Sequence, residues 1–149
     1  MTSVSLSSNG TPLGQTVAIR QFSLTADEPV ALGGQDAGPA PFEWVLAGLG
    51  ACKAMTVQMY ATRKGWPLTN VSVNLSYEKR DDGHQIQADL ALAGDLSPEQ
   101  RQRLVQIADR CPVHKMLLSQ VGIQTTLAPF PDPPGDKSVG HPPASREEE

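Results

Sequence analysis

The sequence predicts an α+β fold built on mainly antiparallel sheets. Three observations predict it. Residues 41–64 form a long apolar run rich in small side chains. Two alternating segments flank Asp81-Asp82-Gly83, and a capped amphipathic segment follows Ser97. In chain order these read as strand, buried helix, hairpin, helix, short helix and strand.

The first residues, 1–16, are Ser-, Thr- and Gly-rich and are expected to be flexible. Residues 17–24 (VAIRQFSL) alternate apolar and polar and read as a strand. Asp27-Glu28-Pro29 turns the chain, and 32–39 (LGGQDAGP) form a loop leading to the central helix. That helix is expected over 41–64. Pro41 suits its first turn, Glu43 complements the dipole there, and Arg63, Lys64 and Gly65 suit its end. Its second face is as apolar as its first, which predicts burial all round. Two interior glycines, Gly48 and Gly50, cost about 1 kcal/mol each against alanine. Close packing against a neighbour is the compensation expected.

Residues 71–77 alternate cleanly, Asp81-Asp82-Gly83 signals a tight turn, and 85–92 alternate again, so a hairpin is predicted. Ser97-Pro98-Glu99-Gln100 supplies an N-cap, a first-turn proline and a capping-box glutamine. The helix that follows should bury Leu104, Ile107, Ala108 and Cys111. Pro112 ends it and opens a short helix to about 120, and 123–127 read as a last strand. One domain, 17–128, is therefore expected, followed by a disordered acidic, proline-rich tail over 129–149.

At 149 residues the chain is long enough for a core, with 39% hydrophobic and 19% charged residues. Net charge is −4. Asp132, Asp136 and Glu147 to Glu149, against Lys137 and Arg146, place −3 of it in the tail and leave −1 for the body. No basic footprint for nucleic acid and no membrane-binding patch is expected. No apolar run spans a bilayer, and the N-terminus does not read as a secretory signal. A cytoplasmic location is expected, where a permanent structural disulfide is rare.

Two cysteines carry the chemistry. Cys52 lies in the apolar helical run and Cys111 at the break before Pro112. Just ahead of a helix start, the Cys111 sulfur can meet unpaired backbone N–H groups, and Arg110, Lys115 and His114 stand nearby; that setting favours thiolate. The bland alternative is an inert cysteine in step with Leu104 and Ile107. Cys52 equally reads as a small buried hydrophobe. A functional Cys52 needs a partner from elsewhere in the fold, since Lys53, about 100° around the helix, does not share its face. Glu43, nine residues before Cys52, is a candidate acid or a helix-dipole carboxylate. Cys52, Cys111, His84, His114 and His141 show no metal-ligand spacing, and no nucleotide-binding motif is present, so neither metal nor cofactor is expected.

From about Asp27 to Leu127 these motifs resemble one family. DEPVALGGQDAGPAPFEWVLAGLGACKAM, followed by GDLSPEQRQRLVQIADRCPVHKML, is similar to the OsmC/Ohr family of thiol peroxidases, osmotically inducible and organic hydroperoxide resistance proteins. The pattern is nearer the less characterised OsmC-like branch. The resemblance implies an OsmC-like fold: antiparallel sheets, a long buried central helix, a second helix pair and an intertwined homodimer. It implies Cys52 as peroxidatic thiol and Cys111 as resolving thiol. The substrate implied is an organic hydroperoxide, and the reductant a lipoyl group or another dithiol. Better-studied branches place a glutamate ten residues before the first cysteine, where this chain has Phe42. They also use an arginine from a loop before the helix. The candidates here are Glu43, one step later, and Arg20. Without those partners, the same fold could instead serve as a non-enzymatic binder of small apolar ligands or as a thiol-exchange protein.

Overall fold

The computed structural model describes residues 2–130. The chain forms two antiparallel sheets and one long helix, and the helix packs on the two-stranded sheet. β1 (Ser5–Ser8), β2 (Gln15–Ile19) and β3 (Phe22–Ala26) form a meander in that order. α1 (Pro41–Lys64) follows, then the hairpin β4 (Leu68–Arg80) and β5 (Gly83–Gly94), α2 (Pro98–Ala108) and α3 (Pro112–Leu117). Among the described residues no helix is long and apolar enough to cross a membrane.

α1 starts and stops where its sequence dictates. Pro41 occupies the first turn, and Gly65 takes the left-handed conformation at φ 65° that ends the helix. Glu43 accepts the Ala40 N–H at 2.8 Å through Oε2, one half of a capping box. The hairpin closes at Asp81-Asp82 with Arg80 opposite Gly83. Its half-buried face alternates as read: Val71, Val73, Leu75 and Tyr77 against Ile86, Ala88, Leu90 and Leu92. α2 carries the full capping box, with Ser97 and Gln100 each accepting the other's backbone N–H. The core packs Val57 and Ala61 of α1 against Leu96, Leu104 and Ala108, with Trp66, Leu90 and Leu92 at its edge.

Gly50 is where β4 crosses α1 most closely. A Cβ there would stand 2.7 Å from the Leu75 Cδ1, so the glycine's helical cost is offset by contact. Gly48 differs: an added Cβ meets nothing. Val45, Met55 and Met59 on the same helix are likewise exposed. Burial of α1 all round is therefore not achieved within one chain. The hairpin and α2 cover one side, and no element of the described residues covers the other.

Three further expectations are corrected. Residues 5–8, placed in a flexible N-terminus, pair with β2 instead. The single strand over 17–24 is two strands, because Arg20 at φ 54° turns the chain between them. The last strand over 123–127 does not form: those residues are irregular and exposed, and no strand edge within the chain pairs with them. The tail expected over 129–149 lies, from residue 131, outside the described residues.

Candidate active site: two thiols beside a buried lysine

The break between α2 and α3 delivers Cys111 to the middle of α1. α2 ends at Ala108, Asp109 and Arg110 turn the chain, and Cys111 becomes the N-cap of α3. Its Sγ accepts the His114 backbone N–H at 3.3 Å. This is the meeting of sulfur and helix-start N–H that the Pro112 position implies. Cys111 is fully buried, whereas Cys52 on α1 is half-buried; both are free thiols.

The two thiols are neighbours. Burial pushes the Cys111 thiol above its ordinary pKa, and the nearby Cys52 thiol adds to the rise. The His114 N–H and the positive charge of Lys53 act the other way. The expectation that this setting favours thiolate is thus reversed by the depth of the site: desolvation exceeds the helix-start stabilisation.

Lys53 was not read as part of the site. It is 5% exposed, yet its ammonium is fully used. Nζ donates to Asp109 Oδ1 at 2.8 Å and to the Ala108 carbonyl at 3.4 Å, and lies 3.0 Å from His114 Nδ1. An ammonium only donates, so Nδ1 accepts and the imidazole proton sits on Nε2. Lys53 and Cys52 point about 100° apart on α1, and the bend at 108–114 wraps both directions. No local signal could reveal this, because the lysine's partners are 55 to 61 residues away.

Two other sequence candidates stand elsewhere. Nine residues at about 100° each put Glu43 on the far side of α1 from Cys52, and its carboxylate is engaged at Ala40. Arg20 is exposed in the turn between β2 and β3, with its guanidinium 5.2 Å from the Phe22 ring centroid. Neither is brought to the cysteines within one chain.

A cavity of about 630 Å³ opens between α1, the hairpin and α3; neither Cys52 nor Cys111 lines it, and it reaches the cluster through Lys53, Asp109 and His114. Phe42, Leu46, Leu49, Ile86 and Leu117 are among its apolar walls, and Lys53, Asp109 and His114 form its polar end. Phe42, Tyr77 and His84 stack in a row along one side, with centroids 4.6 and 5.8 Å apart. That size and lining suit a small, largely apolar ligand.

Before α1, Asp27 organises the loop. Its buried carboxylate accepts N–H groups from Glu28, Gln35 and Ala37 at 2.8, 3.1 and 3.2 Å. The Glu28 N–H is the strongest of the influences that hold its pKa below the usual carboxylate value.

The family model for OsmC-like proteins matches residues 33–126, more than half of the chain. The chain belongs to the OsmC-like family. Solved structures share the OsmC-like fold. An OsmC-like protein from Mycoplasma pneumoniae superposes with a TM-score of 0.69 at 21% identity, over 79% of this chain and 87% of that one. The organic hydroperoxide resistance protein OhrB of Bacillus subtilis does so at 0.55 and 21%, over 78% and 89%. An OsmC-like protein of unknown function from Vibrio cholerae gives 0.62 at 13%, over 78% and 92%. No curated protein sequence matches the chain. Within the common fold, this OsmC-like chain sets Lys53, Asp109 and His114 together near Cys111.

Proposed function

We propose that the protein is a two-cysteine thiol peroxidase that reduces organic hydroperoxides. The observation that carries this reading is the proximity of the two thiols, with Cys52 near enough to raise the Cys111 pKa. The Cys52 thiolate attacks the terminal oxygen of ROOH. An S–O bond forms, the O–O bond breaks, and the leaving alkoxide takes a proton to become the alcohol. Cys111 then attacks the sulfenic acid. An S–S bond forms, the S–O bond breaks, and hydroxide leaves with the Cys111 proton as water. A lipoyl group or another dithiol returns two electrons and two protons by exchange. A reducing, cytoplasmic setting suits that cycle. Membership of a family that includes proteins named for organic hydroperoxide resistance supports it, and the apolar cavity suits an organic substituent.

The working unit in this reading is a homodimer. The uncovered side of α1, with exposed Met55 and Met59 and open space at Gly48, supports it. A partner helix or sheet there would bury the apolar side chains left bare in one chain.

Steady-state consumption of cumene hydroperoxide with a dithiol reductant tests the reading. Cys52→Ser abolishes turnover, and Cys111→Ser permits one oxidation per subunit without rapid recycling. Undiminished turnover by Cys52→Ser sinks the mechanism. A second reading, storage or transport of an apolar ligand, is favoured by the cavity alone. It predicts thermal stabilisation by ligand that survives Cys52→Ser.

A further inference from the structure

We propose that Lys53 is the positioning residue of the resolving thiol: its ammonium staples both chain segments that flank Cys111 and supplies the positive charge that favours the Cys111 thiolate. The inference rests on the two-cysteine reading for its purpose, and on the bonds of one side chain for its substance.

The geometry is specific. Ala108 and Asp109 precede Cys111, and His114 follows it. Lys53 Nζ bonds to all three from a separate helix. The same His114 whose ring accepts from Lys53 donates its backbone N–H to Cys111 Sγ. Holding the imidazole therefore holds the first turn of α3 on the sulfur. The lysine side chain is 6% exposed while the Asp109 side chain is 62% exposed. The carboxylate is screened by water and the ammonium is not, so the cation dominates the field inside the site.

The charged and titratable groups around Cys111 can be named by element. α1 brings Cys52 and Lys53, the bend brings Asp109, and α3 brings His114. Arg110 lies with Tyr60 and Arg63 along a separate cavity and contributes to the field at Tyr60 instead. Of the influences on the Cys111 thiol, burial and Cys52 raise its pKa, while the His114 N–H and, less strongly, the Lys53 charge lower it. A buried lysine is costly unless it is paired. Here its pairing is spent on the three residues that frame one thiol.

The test titrates Cys111 alone, in Cys52→Ser protein, by carbon NMR of its Cβ across alkaline pH. No peroxide is added, so the result does not depend on peroxidase activity. Lys53→Met is expected to cut the thiolate fraction at a fixed pH about threefold, through loss of its charge together with loosening of the His114 N–H it helps to hold. Lys53→Arg restores most of it. Asp109→Asn, which leaves the ammonium less neutralised, moves the titration the opposite way. An unmoved titration in folded Lys53→Met overturns the proposal. So does a shift of the same sign in Lys53→Met and Asp109→Asn, which is what mere loosening would produce. Should Lys53→Met fail to fold, Asp109→Asn decides: a thiolate fraction that is unchanged or reduced overturns it. A titration that behaves as expected in a protein that ignores hydroperoxide would keep this inference and remove the peroxidase reading.

Discussion

The Sγ of Cys111 accepts the backbone N–H of His114 at 3.3 Å, so this thiol is also the cap of the helix that follows it. Thiol chemistry and local folding therefore share one atom. A thiolate strengthens that cap, because a charged acceptor makes the stronger hydrogen bond.

The pH dependence follows from the raised Cys111 pKa. In the unfolded chain the thiol ionises near its ordinary value of about 8.5; in the fold it keeps its proton to higher pH. The stability that comes from a neutral buried Cys111 is complete below the unfolded value and is lost as pH rises toward the folded one. Denaturant midpoints should fall through that alkaline window, and Cys111→Ser should flatten the fall. Disulfide formation from the Cys52 sulfenic acid should likewise still be accelerating at about pH 9, measured by rapid quench and alkylation.

Gly50→Ala should change stability by less than about 1 kcal/mol, because alanine's gain in helix propensity is set against displacement of the Leu75 Cδ1 that its Cβ would meet at 2.7 Å. Chemical denaturation reads this directly. A stabilisation well above about 1 kcal/mol would mean that Leu75 does not sit on α1 as described.

The uncovered side of α1 gives a test of assembly. Wild-type protein should run as a dimer by light scattering. Ala51→Arg, on the exposed small-residue side of α1, should shift it toward monomer and lower its Tm. Monomeric wild type at all concentrations would leave α1 bare and end the dimer proposal.

Asp27→Asn should lower Tm and loosen the loop before α1. The amide nitrogen would replace an oxygen that accepts from Gln35 and Ala37. The depressed Asp27 pKa gives the sign with pH. Its stabilisation is complete above the unfolded carboxylate value, near about 4, and vanishes as pH falls toward the folded one. The mutant should therefore differ from wild type at neutral pH and converge with it in strong acid. Faster hydrogen exchange at the Gln35 and Ala37 amides is the local readout.

Elements with local punctuation were legible in the sequence. Pro41 and Gly65 bound α1, Asp81-Asp82 closes the hairpin, and the Ser97 box starts α2. Pro112 marked Cys111 as a helix start, and its sulfur cap follows. What depended on distant partners was not legible. Lys53 looked like a residue off the cysteine face because its bonds lie across the fold. Residues 123–127 alternate like a strand, but among the described residues they pair with none of the open edges of the two sheets. The all-round apolar character of α1 reads as burial, and a single chain covers only one side of it. The direction of the Cys111 shift also escaped, since N–H groups and nearby cations can be read from spacing while depth of burial cannot.

The most direct test of the central claim gives the reduced protein one equivalent of cumene hydroperoxide, with hydrogen peroxide in parallel, and follows intact mass and peptide maps with time. The account predicts rapid formation of an intramolecular Cys52–Cys111 disulfide, faster with the organic peroxide. Two thiols that remain reduced for minutes would contradict it.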